Sequence, residues 1–252
     1  MPVHHIPVNY LPRANLLANK TVVVTGAGDG IGRCAALTYA RYGATVLLLG
    51  RTGSKLEAVY DEIEADGGAK PAIIEMDLAT ASEESYANLA NSLANEFSCL
   101  HGILHNAAVL GDRRPIANAS YTSWAEVMQV NVNAQFLLTR HLLPLLQMAP
   151  DAAIIFTSSG VGRIGKAYWG AYAVSKFATE GFMQVLSGEL ENTSRIRVNS
   201  LNPCATNTAM RRTAYPAETP TNNPAPQDIM PAYLYLMGDD SAGFTGRAFD
   251  AR

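Results

Sequence analysis

From residue 20 onward the chain alternates short runs of β-branched and aliphatic residues with longer stretches of helical periodicity, a pattern that leaves few folds open to it. The runs TVVVT (21–25), TVLLL (45–49), AIIEM (72–76), GILH (102–105), AAIIFTS (152–158) and IRVNSL (196–201) read as buried strands, with GRAFD (246–250) as a seventh. Between them, Ile31 to Tyr42, Ser82 to Phe97, Tyr121 to Leu146 and Tyr172 to Leu190 read as amphipathic helices.

Strand, crossover helix and parallel strand pack right-handed, so the simplest topology is a single Rossmann-type doubly wound parallel α/β sheet of about seven strands with helices on both faces. Residues 20–252 are expected to form one dinucleotide-binding domain and 1–19 a leader, in which His4 and His5 belong to a flexible tail without a role. The rhythm breaks at 204–228, where Pro216, Pro220, Pro224 and Pro226 predict a loop or short broken helix, read as a substrate lid.

A net charge of −3 with no Lys/Arg run argues against nucleic acid, and no apolar stretch reaches the ~18 residues of a membrane span. The expected location is the cytoplasm and the expected partner a small molecule. Cys34, Cys99 and Cys204 lack CxxC spacing, so they predict reduced thiols and no metal site.

The first strand runs directly into Thr25-Gly26-Ala27-Gly28-Asp29-Gly30-Ile31-Gly32 and then a helix. Glycines permit a tight turn and close backbone approach, and the free N–H groups of the helix start attract a pyrophosphate. The second strand ends Leu49-Gly50-Arg51, without the carboxylate that would bind the ribose hydroxyls of NAD. Arg51, with Arg33 as a possible helper, can instead pair with a 2′-phosphate, so NADP(H) is expected over NAD(H).

Tyr172 and Lys176 share one face of a predicted helix, and an ammonium near a phenol lowers its pKa, fitting Tyr172 to shuttle protons. Ser158 and Ser159 close the fifth strand at the carboxyl edge of the sheet, where such folds bind ligands; Ser159 can donate to a carbonyl oxygen and Ser158 can close the turn.

With these motifs in place, residues 20–250 resemble the short-chain dehydrogenase/reductase family. TGAGDGIG is similar to its cofactor turn and Asn106-Ala107-Ala108 to its NAG motif; Ser159, Tyr172 and Lys176 resemble its catalytic trio and Asn131, in VNVNAQF, its fourth catalytic residue. The resemblance implies that Tyr172 donates or accepts the proton, Ser159 orients the carbonyl, Lys176 also holds the nicotinamide ribose, and Asn131 positions a relay water. It also places Asp77 and Leu78 beside the adenine, and Pro203 and Thr208 at the nicotinamide. Three positions depart from the family pattern: Cys204 follows Pro203 where glycine is usual, which a negative φ accommodates; Asp29 stands where many NADP-dependent members carry a basic residue; and Ala108 replaces the last glycine of NAG.

GRIGKAYWGAYAVSK, MQVNVNAQFLLTRHLLPLL and DIMPAYLYLMGDD resemble a bacterial branch of uncharacterised members near 3-oxoacyl-thioester reductases. The expected activity is interconversion of a carbonyl and a secondary alcohol. The alternatives are a non-catalytic NADP(H)-binding regulatory or scaffold protein, and an epimerase or dehydratase with bound NAD. Tyr168 and Trp169 are read as pocket, core or interface aromatics; Arg113, Arg114, Arg163, Arg211 and Arg212 as solvated surface residues, with an anionic substrate as the alternative. The family's pairing through the helix at Tyr172 implies a homodimer or homotetramer.

Overall fold

The computed structural model describes residues 2–252. Its sheet contains eight parallel strands: β1 (Val3–His5), β2 (Thr21–Thr25), β3 (Thr45–Gly50), β4 (Ala72–Glu75), β5 (Gly102–His105), β6 (Ala152–Thr157), β7 (Ile196–Asn202) and β8 (Arg247–Asp250). The spatial order is β1-β8-β7-β6-β5-β2-β3-β4. The expected doubly wound sheet is present, with one strand more than the seven anticipated.

The extra strand comes from the leader. Val3, His4 and His5 pair in register with Ala248, Phe249 and Asp250, so the two histidines are not in a flexible tail. Pairing supplies partners for the outer edge of β8, and the His4 ring lies 5.5 Å from that of Phe249. Further along, Leu16 and Leu17 are buried in the core and Arg13 pairs with Asp239 at 2.7 Å.

The helices are α1 (Gly30–Arg41), α2 (Gly53–Ala65), α3 (Glu83–Glu96), α4 (Tyr121–Met128), α5 (Ala134–Gln147), α6 (Gly170–Leu190), α7 (Ala209–Ala214) and α8 (Met230–Met237). A π-helical segment, Gln129–Asn133, joins α4 to α5. Successive strand residues point to opposite faces. Val22, Val24, Val46, Leu48 and Leu104 therefore join the core beneath α1, α2 and α8, whereas Val23, Leu47, Leu49, Ile103 and Ile154 join the one beneath α3, α5 and α6. Burying each such side chain contributes about 1.5–3 kcal/mol, which is why β2, β3 and β6 are apolar over most of their length.

The order of connection reverses between β2 and β5: β3 and β4 continue outward from β2, while β6, β7 and β8 continue outward from β5. A crevice opens beyond the carboxyl ends at such a switch point. Thr25 fixes it by accepting hydrogen bonds at Oγ1 from the backbone N–H of Asn106 (2.9 Å) and Ala107 (3.0 Å).

Candidate active site

The crevice is a cleft of about 530 Å³. Of the residues expected to bind a cofactor, Gly26, Gly28, Asp29, Gly30, Ile31, Arg51, Asp77, Leu78, Asn106, Ala107, Ala108, Tyr172, Lys176, Pro203 and Thr208 line it, and so does Ser159. Gly32 and Asn131 do not.

Gly32 acts beneath the turn, where a Cβ would stand 2.1 Å from the carbonyl oxygen of Gly26. Gly26 itself has φ +68° and lies against the backbone of Ala107, so the turn needs glycine there on conformational and steric grounds. Asp29 caps α1 by accepting from the N–H of Gly30 at 2.7 Å, and also pairs with Lys55 at 2.6 Å. Lys55 and this cap hold the Asp29 carboxyl below the usual carboxylate range.

Lys55, which the sequence pattern did not single out, therefore supplies the basic group at this end of the cleft from the first turn of α2. Arg51 lines the same end and forms no ion pair among the described residues. Arg33 is not a helper: it lies outside the cleft lining and pairs with Glu62. The Asp77 carboxylate accepts from the N–H of Ala79 at 3.0 Å, which shapes the turn after β4.

At the other end, Tyr172 occupies the first turn of α6 and Lys176 the next; both are buried, Lys176 to 1% exposure. The Lys176 ammonium donates to the carbonyl of Thr157 at 2.7 Å and lies 5.6 Å from the Tyr172 ring. Burial dominates both groups. It pushes the Tyr172 phenol up to about 12, against the neighbouring Ser159 hydroxyl, and brings Lys176 down to about 8, against the charge of Glu180. The expected lowering of the phenol by Lys176 does not appear: desolvation raises it, and Ser159 is the group that opposes the rise.

Ser158 turns away from the phenol and donates to Glu180 at 2.6 Å, leaving Ser159 as the serine beside Tyr172. Asn131, fully buried in the π-helical segment, accepts from the N–H of Val109 (2.8 Å) and donates to its carbonyl (3.0 Å) and to Ser175 (3.0 Å). Its side chain thereby ties the segment following β5 to α6. His105 is also buried, stacked on Phe156 at 4.8 Å and brought down to about 3 by desolvation and Lys176, so it stays neutral.

Two expectations change here. Cys204 has φ +59°, not the negative value that would suit a non-glycine; its N–H donates to Asn202 Oδ1 at 3.0 Å. Arg163 is not solvated but pairs with Glu180 (3.2 Å) and Asp250 (2.6 Å). The 204–228 segment forms α7 and two 3-10 turns; Thr208, at the cleft, caps α7 by accepting from the N–H of Arg211 at 3.1 Å.

A doubly wound parallel sheet with a glycine turn at its switch point, and a tyrosine–lysine pair across the same cleft, defines an oxidoreductase of the dinucleotide-binding class. The profile of the short chain dehydrogenase family matches residues 20–219. The chain belongs to that family. It is 52% identical over 245 residues to the uncharacterised oxidoreductase YciK of Escherichia coli K12, covering 97% of this chain and 96% of that one. A protein of Shigella flexneri 2a crystallised with NADP superposes with TM-score 0.92 at 51% identity, over 95% of this chain and 99% of that one. One from Escherichia coli CFT073 crystallised with NADPH gives 0.93 at 52% identity, over 96% and 100%.

Proposed function

We propose that the protein interconverts a carbonyl and a secondary alcohol with NADP(H), using Tyr172 as general acid and base. The observation that carries this reading is the burial of Tyr172 and Lys176 on one face of α6, with Ser159 beside the phenol, in the cleft that also contains the glycine turn.

The donor set fits the cofactor: Gly26 and Gly28 leave the backbone accessible, and Arg51 and Lys55 offer charge to a 2′-phosphate. The relatives crystallised with NADP and NADPH support the same choice. Bound there, NADP(H) supplies or accepts a hydride at the reacting carbon. Tyr172, protonated at neutral pH, donates its proton to the carbonyl oxygen, and Ser159 donates a hydrogen bond that holds that oxygen. In the reverse direction the phenolate form of Tyr172 accepts the alcohol proton. Lys176 holds its ammonium 5.6 Å from the Tyr172 ring, and the family resemblance gives it the nicotinamide ribose to hold. Asn131 is a positioning residue, acting through Val109 and Ser175.

The 204–228 segment, which brings Thr208 and Arg211 to the cleft, is read as its lid. Phe136, Val174, Phe177 and Val185 leave an exposed apolar surface on α5 and α6, which supports a homodimer or homotetramer. Among the described residues no helix is long and apolar enough to cross a membrane, and the reading is of an enzyme acting on a small molecule in the cytoplasm.

The test follows NADPH absorbance with acetoacetyl thioesters, diketones, quinones and aldehydes. Tyr172→Phe is expected to lower kcat by about 10²- to 10⁴-fold with NADPH affinity retained. Turnover that survives the substitution overturns the assignment; NADPH binding without turnover of any carbonyl favours a non-catalytic binding protein.

A further inference from the structure

Just beyond the cleft lining, next to Trp169 and Arg211, positive charge gathers around two aromatic rings. Arg113, from the segment after β5, lies 4.6 Å from the Trp169 ring and 5.1 Å from that of Tyr215. Lys166, from the loop before α6, lies 5.5 Å from the Tyr215 ring and donates to its hydroxyl at 3.3 Å. Arg211, on α7, stacks on the same ring at 3.8 Å. Three separate segments thus bring cations to one tyrosine.

The nearby carboxylates do not balance them. Glu218 is committed to Arg211 through two contacts of 2.6 and 2.7 Å, and Asp112 faces Arg114 at 3.5 Å while accepting from the N–H of Ser120. Arg113 and Lys166 form no ion pair among the described residues. Aromatic faces attract cations without neutralising them, so both charges remain available to an anion. A second observation falls at the same place. Trp169 is only 6% exposed, lines the cleft, and its indole N–H has no hydrogen-bond partner among the described residues.

We infer that Arg113 and Lys166 bind an oxyanion of the substrate, a carboxylate or a phosphate ester, carried at the far end from the reacting carbonyl. This rests on the carbonyl chemistry proposed above. Ring centres 5.7 Å apart lead from Tyr172 to Trp169, and 4.6 Å more leads to Arg113, so the anion and the carbonyl belong to one molecule with a short spacer. Leu110, Val161 and Met210 pack with Trp169 and Tyr172, which makes that spacer apolar or aromatic. Arg163, by contrast, is consumed by Glu180 and Asp250 and contributes nothing here.

The test uses the NADPH-loaded protein and three matched aldehydes: 4-carboxybenzaldehyde, 4-formylphenyl phosphate and methyl 4-formylbenzoate. At least one anionic aldehyde is expected to exceed the ester in kcat/KM by about tenfold or more, mostly through KM, with the advantage shrinking as salt is raised. The better anion identifies carboxylate or phosphate as the recognised group. Arg113→Ala and Lys166→Ala should each reduce the anion-to-ester ratio severalfold, and Arg113→Lys should retain most of it. Equal use of anion and ester by the native protein, or a ratio that Arg113→Ala leaves unchanged, overturns the inference while leaving the carbonyl chemistry intact. If none is reduced, calorimetry of the same compounds with the NADP⁺-loaded protein decides: Arg113-dependent binding of an anion supports the site and counts against the chemistry, whereas no preference for the anions refutes the site.

Discussion

Replacing Arg51 and Lys55 separately tests how the cleft selects its cofactor, because the two cations start from different states. Arg51 has no ion-pair partner among the described residues, so its full charge is available to a 2′-phosphate. A charge-assisted hydrogen bond of that kind contributes about 1.5–3 kcal/mol, so Arg51→Ala should weaken NADPH by about 10- to 150-fold and NADH hardly at all. Lys55 is already engaged by Asp29 at 2.6 Å, with both side chains more than half exposed. A pair of this type is worth at most about 1 kcal/mol, so a phosphate can draw Lys55 away, but with a smaller net gain. Lys55→Ala should therefore weaken NADPH by about 3- to 10-fold, partly because it leaves the Asp29 carboxylate unneutralised beside the phosphate. Equilibrium titration of each variant by nucleotide fluorescence, with NADPH and NADH in parallel, separates the two effects. Equal loss for both nucleotides would mean that Arg51 supports the fold of the turn and does not read the phosphate. A larger effect of Lys55 than of Arg51 would refute the idea that pairing with Asp29 limits what Lys55 gives to the phosphate.

Cys204→Gly should stabilise the protein. A non-glycine residue at φ +59° costs about 1–2 kcal/mol, of which added chain entropy takes back about 0.5–1, so the midpoint of thermal unfolding should rise by up to about 6 °C. Cys204→Ala keeps the Cβ and should bring no such gain; an equal gain from both would point away from backbone strain. Carbonyl reduction should be level at neutral pH and fall as pH rises through about 8, where Lys176 loses the proton that it carries below that value. Tyr172, pushed up to about 12, stays protonated throughout that window, so a rate unchanged up to pH 10 would exclude a role for the Lys176 charge.

The strands were legible almost to the residue because parallel strands covered on both faces must be apolar along their whole length, and TVVVT or AAIIFT admit little else. β1 was not, since three residues, two of them histidine, carry no period and owe their conformation to the edge of β8. α2 escaped notice because only Leu56, Val59 and Ile63 are buried in a segment that, apart from the half-buried Tyr60, is otherwise charged or small. Lys55 was hidden with it, although a lysine four residues beyond Arg51 was a usable signal. Neither the stacking of Arg113 on Trp169 nor the inward turn of Arg163 has any local signature, because each depends on segments far apart in the chain. The sign of φ at Cys204 is likewise set by its surroundings and not by its own residue type.

Those surroundings connect the strained turn to α6, the helix that carries Tyr172 and Lys176. Glu180, one turn beyond Lys176 on α6, accepts from Ser158 (2.6 Å), Ser200 (2.7 Å) and Arg163 (3.2 Å), and Arg163 continues to Asp250 (2.6 Å). Asp250 accepts from Asn202 at 2.9 Å, and Asn202 accepts from the N–H of Cys204. A buried carboxylate costs several kcal/mol unless its lone pairs are satisfied, and here a cation and two hydroxyls satisfy them. Two carboxylates share the single guanidinium of Arg163, so the network retains negative charge close to Lys176. That charge favours the ammonium form against the burial that would remove its proton. The carboxylate that keeps Lys176 charged is thus bonded into the same framework that holds Cys204 in its unfavourable backbone conformation. The N–H of Cys204 is held by Asn202, and Asn202 in turn donates to the carboxylate that pairs with Arg163. The strained turn and α6 are thereby joined in one polar network.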